Sequence, residues 1–177
     1  DATQQSLAAA EQRHQAEAAE AARKAAEDAA RLKAEAAARD QAEAAAKPSE
    51  VFQTARRQYD KGDYDLAAQG FQLYLDQFPK GETADLAGYY LGQARYAEKK
   101  YEEAARAFAL VLDRYASSDV TPATRLRYAE SLLHLGGHDA EAKRYLESIP
   151  QDYAKSPEAV KAHELLRRMG RKKTSKR

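Results

Sequence analysis

From residue 48 onward, apolar and small residues recur three and four positions apart, the spacing of one face of an α-helix. Ala67 with Phe71 and Ala104 with Phe108 each place a small and a bulky side chain one turn apart on the same face. Sliding the chain on itself by 37 residues superposes Tyr64 on Tyr101, Ala67 on Ala104, Ala68 on Ala105, Phe71 on Phe108 and Leu75 on Leu112. A second shift of 37 carries these onto His138, Glu141, Ala142, Tyr145 and Ile149, so that Glu141 stands where the other units have a small residue. A period of this size belongs to stacked two-helix units. The preceding helix supplies the complementary small residue at Ala55, Gly92 and Ala129, again 37 apart. The pattern predicts helices near residues 49–61, 64–78, 83–98, 101–115, 122–135, 138–149 and 157–169. The seventh caps the stack, with Leu165, Leu166 and Met169 turned inward and Lys161, Glu164 and Arg168 outward.

Turn residues punctuate this register. Lys61-Gly62-Asp63 and His134-Leu135-Gly136-Gly137 separate the helices of the first and third units. Thr121-Pro122 and Ser156-Pro157 read as an N-cap followed by proline at the first helical position.

Residues 1–47 follow another pattern. They hold 21 alanines with Glu, Gln, Lys and Arg, no aromatic residue, and only Leu7 and Leu32 as large aliphatics. Propensity alone predicts a helical rod, with ion pairs such as Glu20 with Lys24 and Glu27 with Arg31 along it. A strong heptad seam is not available to two leucines, which leaves a weak alanine-seamed self-association or a solitary helix. Lys47-Pro48 closes the segment. The expected domains are therefore a rod over 1–47, a repeat domain over 48–169, and a basic disordered tail over 170–177 with Gly170 as helix stop.

Charge sharpens that division. The formal net charge of +1 conceals −2 over residues 1–47, −4 over 48–166 and +7 over 167–177. No window approaches the ~20 apolar residues of a membrane span. The only methionine is Met169, and the missing initiator is what removal of a signal peptide, or of another part of a longer chain, would leave. With no cysteine there is no disulfide, thiolate metal site or cysteine nucleophile. His134 and His138 have the spacing of a zinc pair on a continuous helix, but Gly136 and Gly137 interrupt it, so packing or turn roles are expected and no metal or other cofactor. No glycine-rich phosphate loop or Ser-His-Asp set is present, so neither an enzyme nor a small-molecule substrate is expected.

The repeat register places Phe52, Arg56, Tyr59, Tyr89, Gln93, Tyr96, Leu126 and Glu130 on the first-helix face that lines the inside of such a stack. Half of these are aromatic. Amphipathic rings beside Arg and Gln suit the binding of a partner segment.

Leu91-Gly92, Ala104 with Phe108, and Ala67 with Phe71 and Pro79 resemble the tetratricopeptide repeat pattern. That resemblance implies an all-α, TPR-like right-handed helical solenoid of about three helix pairs plus a capping helix, here preceded by the alanine-rich rod. The carboxylate-clamp positions of that family hold Phe52, Arg56, Tyr90, Ala123 and Arg127, so capture of a free Glu-Glu-Val-Asp-like C-terminus is not expected. More specifically, Lys61-Gly62-Asp63-Tyr64, Gly70-Phe71-Gln72 and Tyr89-Tyr90-Leu91-Gly92-Gln93-Ala94 resemble the C-terminal domain of the Tol–Pal-associated YbgF/CpoB family. This second resemblance implies a secreted, periplasmic, non-catalytic adaptor. Its implied partners are envelope proteins, TolA-like or of the peptidoglycan synthase machinery, coordinated during cell division. The rivals are another repeat scaffold, such as an envelope assembly lipoprotein, and a nucleic-acid binder using Arg167, Arg168, Arg171, Lys172, Lys173, Lys176 and Arg177. The acidic repeat domain disfavours the latter, so no specific nucleic acid is expected.

Overall fold

The computed structural model describes Arg13, Gln15, residues 17–35 and residues 47–174, with side chains placed through Arg171. The described residues form helices and turns without a strand. Packing divides the chain into two compact units, residues 1–46 and 47–177. In the first, helix α1 covers residues 17–35, all exposed. Exposed ion pairs run along it: Glu20 with Lys24 at 3.1 Å as expected, but Glu27 with Arg23 at 2.9 Å rather than with Arg31. Arg31 instead reaches Asp28 at 3.1 Å and Glu35 at 3.9 Å. Leu32 stands 61% exposed, and Leu7 lies outside the described residues.

The second unit begins at Lys47, whose carbonyl accepts the N–H groups of Glu50 and Val51. Its helices are α2 (Pro48–Lys61), α3 (Tyr64–Gln77), α4 (Ala84–Ala97), α5 (Tyr101–Arg114), α6 (Thr121–Leu135), α7 (Asp139–Asp152) and α8 (Pro157–Thr174). Each packs on its neighbours in sequence. The first helices also touch across units, α2 on α4, α4 on α6 and α6 on α8, whereas α3, α5 and α7 do not meet one another. This is the geometry of a helical solenoid whose first helices line one face.

The internal slots show how the repeat works. Ala67 and Ala104 are fully buried against the preceding helix, and the third-unit counterpart is Ala142, not Glu141. Phe71 and Phe108 are likewise fully buried, and Leu146 takes their place, with Ile149 following Tyr74 and Val111. The third unit is therefore offset by 38 residues from the second. N–H groups of Ala67, Ala104 and Ala142 donate to the carbonyls of the helix-capping residues Asp63, Lys100 and His138, which places the extra residue at the α6–α7 junction, where α6 is one residue longer than α4. Displaced from the core, Glu141 accepts a hydrogen bond from the Tyr128 hydroxyl at 2.9 Å. Burial and this carboxylate push the Tyr128 phenol up to about 12.

The turns repeat as faithfully as the core. After α2, Gly62 (φ 87°) sends its N–H to the Tyr59 carbonyl and Asp63 its N–H to Gln58. After α4 the same two bonds are made by Lys99 to Tyr96 and Lys100 to Arg95, with Lys99 at φ 62°. After α6 the turn uses two glycines with positive φ, Gly136 and Gly137. Between units, Phe78, Tyr115 and Tyr153 end α3, α5 and α7 with nearly identical backbone angles. Each accepts at its carbonyl the N–H of the residue three further on, Gly81, Ser118 and Ser156.

Three sequence expectations are corrected at helix ends. Thr121 is the first residue of α6, not its cap; Val120 caps, and the Thr121 hydroxyl donates to the Ala116 carbonyl at 3.3 Å. Helix α7 passes Pro150 and runs to Asp152, since the Tyr153 N–H still closes on Ile149 at 2.7 Å. Helix α8 passes Gly170 and reaches Thr174, so Gly170 is no stop and the expected tail begins as helix; residues 175–177 lie outside the described residues. Ser156 does cap α8, its hydroxyl accepting the Ala159 N–H at 3.2 Å. Leu165, Leu166 and Met169 pack on the core of α6 and α7.

Candidate functional site

Because α2, α4 and α6 touch one another, side chains one repeat apart on these helices form a continuous strip. Of the eight residues expected there, Arg56, Tyr59, Tyr89, Gln93, Tyr96 and Glu130 are half-buried. The other two are core. Phe52 is 8% exposed and wedged edge-on among Phe71, Tyr74 and Tyr90, and Leu126 is 4% exposed beneath α6. Neither offers a ring or side chain to a partner. A helix turns about 100° per residue, so the residue after Leu126, Arg127, comes half-buried to the face, as does Tyr90 after Tyr89 on α4, while Phe52 is followed by the exposed Gln53.

Tyr90 and Arg127 organise the strip. The Tyr90 ring stacks on the buried Phe71 at 5.5 Å, and Tyr59 and Tyr89 meet it edge-on at 5.3 and 5.5 Å. Arg56 lies with its guanidinium carbon 4.4 Å above the Tyr90 centroid and donates to the Tyr90 hydroxyl, while its Nε reaches Asp60 at 3.0 Å. Arg127 sits 5.2 Å over the Tyr96 ring and donates to Glu130 at 2.9 Å. Cation–π contact and a charge-assisted hydrogen bond hold each guanidinium in place. Gln93 donates to the Tyr89 hydroxyl at 3.1 Å. Tyr96 also packs on Tyr101 and on His134, which stacks on Tyr101 at 4.3 Å. His134 thus has a packing role, and His138 lies beyond the end of α6, so the pair does not share a helix. No group of three metal-binding side chains occurs among the described residues.

The electrostatics follow from this packing. Burial raises the pKa of Tyr59, Tyr89 and Tyr96, and in all three the Arg127 cation pulls the other way. Burial opposes the Arg127 charge as well, but Glu130 together with Tyr89 and Tyr96 more than offsets it and keeps the guanidinium above its ordinary range. The phenols therefore remain protonated donors at neutral pH, gathered around one fixed cation. Such a strip can hold carbonyl or carboxylate oxygens of an extended or helical segment between aromatic faces.

Residues 86–118 and 123–156 match the tetratricopeptide repeat family model. These segments cover α4–α5 and α6–α7, and the unit formed by α2 and α3 repeats the same slots beside them. The first TPR of Spaghetti (RPAP3), solved bound to the HSP90 peptide SRMEEVD, superposes with a TM-score of 0.61 at 18% identity, covering 72% of this chain and 94% of that one. The Yersinia enterocolitica type III secretion chaperone SycD, in complex with a peptide of the translocator YopD, gives 0.62 at 23% identity, covering 71% and 93%. These likenesses establish a TPR-like fold. No curated protein sequence matches the chain.

Proposed function

We propose that this chain is a non-catalytic adaptor that seats a segment of a partner protein on the strip of Tyr59, Tyr89, Tyr90, Tyr96, Arg56 and Arg127. The observation that carries the reading is Arg127: a half-buried cation on α6, fixed by Glu130, lying over the Tyr96 ring of α4 and within electrostatic reach of Tyr89 on α4 and Tyr59 on α2. A core needs no such cation, and an ordinary surface arginine has no such rings. The peptide complexes formed by SycD and by the Spaghetti repeat support it.

Within that reading, the envelope is the proposed setting, on the strength of Lys61-Gly62-Asp63-Tyr64 and Tyr89-Tyr90-Leu91-Gly92-Gln93-Ala94. The chain would work in the periplasm as a YbgF/CpoB-type adaptor, linking Tol–Pal constriction to peptidoglycan synthesis during division. The test is titration of a TolA-like periplasmic domain with the wild type, Tyr89→Ala, Tyr96→Ala and Arg127→Ala, with thermal melting beside it. A binding anchor loses ~2 kcal/mol or more of affinity, roughly thirtyfold, while the protein stays folded. Phe52→Ala is the control that lowers stability instead. Unchanged affinity in folded Tyr89, Tyr96 and Arg127 variants would exclude this strip as the binding face.

A further inference from the structure

We propose that copies of this chain associate head to tail, the last helix α8 of one seated on the outer face of α3 of the next. Two uncovered apolar features at opposite ends of the repeat domain carry the inference. On α3, Leu66 and Leu73 are 55% and 47% exposed and lie two turns apart on one face. With Val51 and Thr54 of α2 they wall a groove whose floor is Gly70 and Ala55. The floor is low because α2 and α3 touch there: a Cβ on Gly70 would stand 2.8 Å from that of Ala55. The corresponding outer positions are Glu103 and the half-buried Leu110 on α5, then Glu141 and Ser148 on α7. A carboxylate replaces Leu66 in both later units, so the exposed leucine pair belongs to the first unit alone. On α8, Val160 is 71% exposed and borders a second groove with His163, Leu166 and Arg167. That groove lies on the side of α8 equivalent to the side of α4 where Gly88 and Gly92 receive Val111 and Phe108 of α5. No described helix fills it.

Charge selects the occupant. Helix α3 carries Asp65 and Asp76 and no cation of its own, and Glu50 borders its groove; Asp65 is met by Arg95 at 3.3 Å and Lys100 at 4.0 Å and Glu50 by Lys47 at 3.9 Å, while Asp76 accepts only a neutral donor, Gln72, at 2.8 Å. Helix α8 carries Glu158 and Glu164 against Lys161, Arg167, Arg168, Arg171, Lys172 and Lys173. Two acidic α3 faces repel one another, as do two basic α8 helices, so neither end is suited to self-pairing about a two-fold axis. An α8 on an α3 instead joins opposite charges and covers Val160 with Leu66 and Leu73. Such a contact is heterologous, leaving one free acceptor and one free donor at every stage.

Sedimentation velocity of the full chain across a concentration series, at low and high salt, tests this. The wild type should show an average mass that climbs past the dimer with concentration and falls back as salt rises. Leu73→Glu and Val160→Glu, both at exposed positions, should each weaken association about tenfold or more. An equimolar mixture of the two variants should form one-to-one dimers and nothing larger, because only one intact acceptor and one intact donor can meet. Leu66→Gln and Arg167→Glu serve as a second pair if either variant loses helicity. A wild type that stays monomeric throughout overturns the proposal. So does association equal to wild type in the single variants, which would place self-association elsewhere, for instance in residues 1–46.

Discussion

Lys99 illustrates how much backbone conformation a sequence conceals. It holds the left-handed position that Gly62 holds one repeat earlier, making the same pair of hydrogen bonds. Gly62 was legible as a turn residue because glycine adopts that conformation freely. Lysine gives no such signal, and only the bonds to Tyr96 and Arg95 reveal the turn. A side chain there costs folding energy that the two bonds and the α4–α5 packing offset. Replacing Lys99 by glycine should therefore raise stability by about 0.5–1 kcal/mol, after the larger entropy that glycine gives the unfolded chain is counted. Gly62→Lys should lower it by a similar amount. Urea midpoints of the two variants check both signs. The same limit applies to the strip: Tyr59, Tyr89 and Tyr96 were visible as aromatics on the first helices and are half-buried there, but whether Leu126 or Arg127 reaches the face depends on helix rotation.

At the level of elements, the small-to-large pairing is the most readable feature, and Gly92 is its tightest instance. A Cβ there would run into the Phe108 ring, so α4 and α5 can approach as they do only with glycine at that contact. The third unit solves the same contact differently, with Ala129 on α6 and the smaller Leu146 on α7, both buried in one cluster. Gly92→Ala should cost ~1–3 kcal/mol through overpacking. Adding Phe108→Leu should return part of that loss, and a double-mutant cycle in chemical denaturation measures the coupling. Helix existence and spacing in α2 through α5 followed from periodicity. The register of α7 did not, since a fixed shift of 37 carries no information about an added residue at a helix junction. Helix ends were obscured where Pro150 and Gly170 sit inside helices that neighbouring bonds sustain.

For the whole molecule, composition separates the alanine-rich segment from the repeats. All the aromatic residues lie in the second unit, which supplies both clusters of buried residues. Deleting residues 1–46 should leave the melting temperature of the remainder within a few degrees of the full chain by circular dichroism. A larger fall would mean that the first unit contributes to the stability of the second. The core itself is divided into neighbouring clusters, one centred on α2 to α4 and one on α6 to α8. Stability in such an array comes from each unit and its contacts with the next.

The extra residue between α6 and α7 bears on how such a chain can change length. Inside a helix, one added residue would rotate every later side chain by about 100° and turn the buried stripe toward water. Between helices the error is erased at the next N-cap. Gly136 and Gly137 swing the backbone through positive φ, which other residues rarely adopt, His138 restarts the count, and Ala142 and Leu146 arrive in phase. The turn acts like a comma in a metrical line: a syllable added at the pause leaves the stress of the next foot where it was.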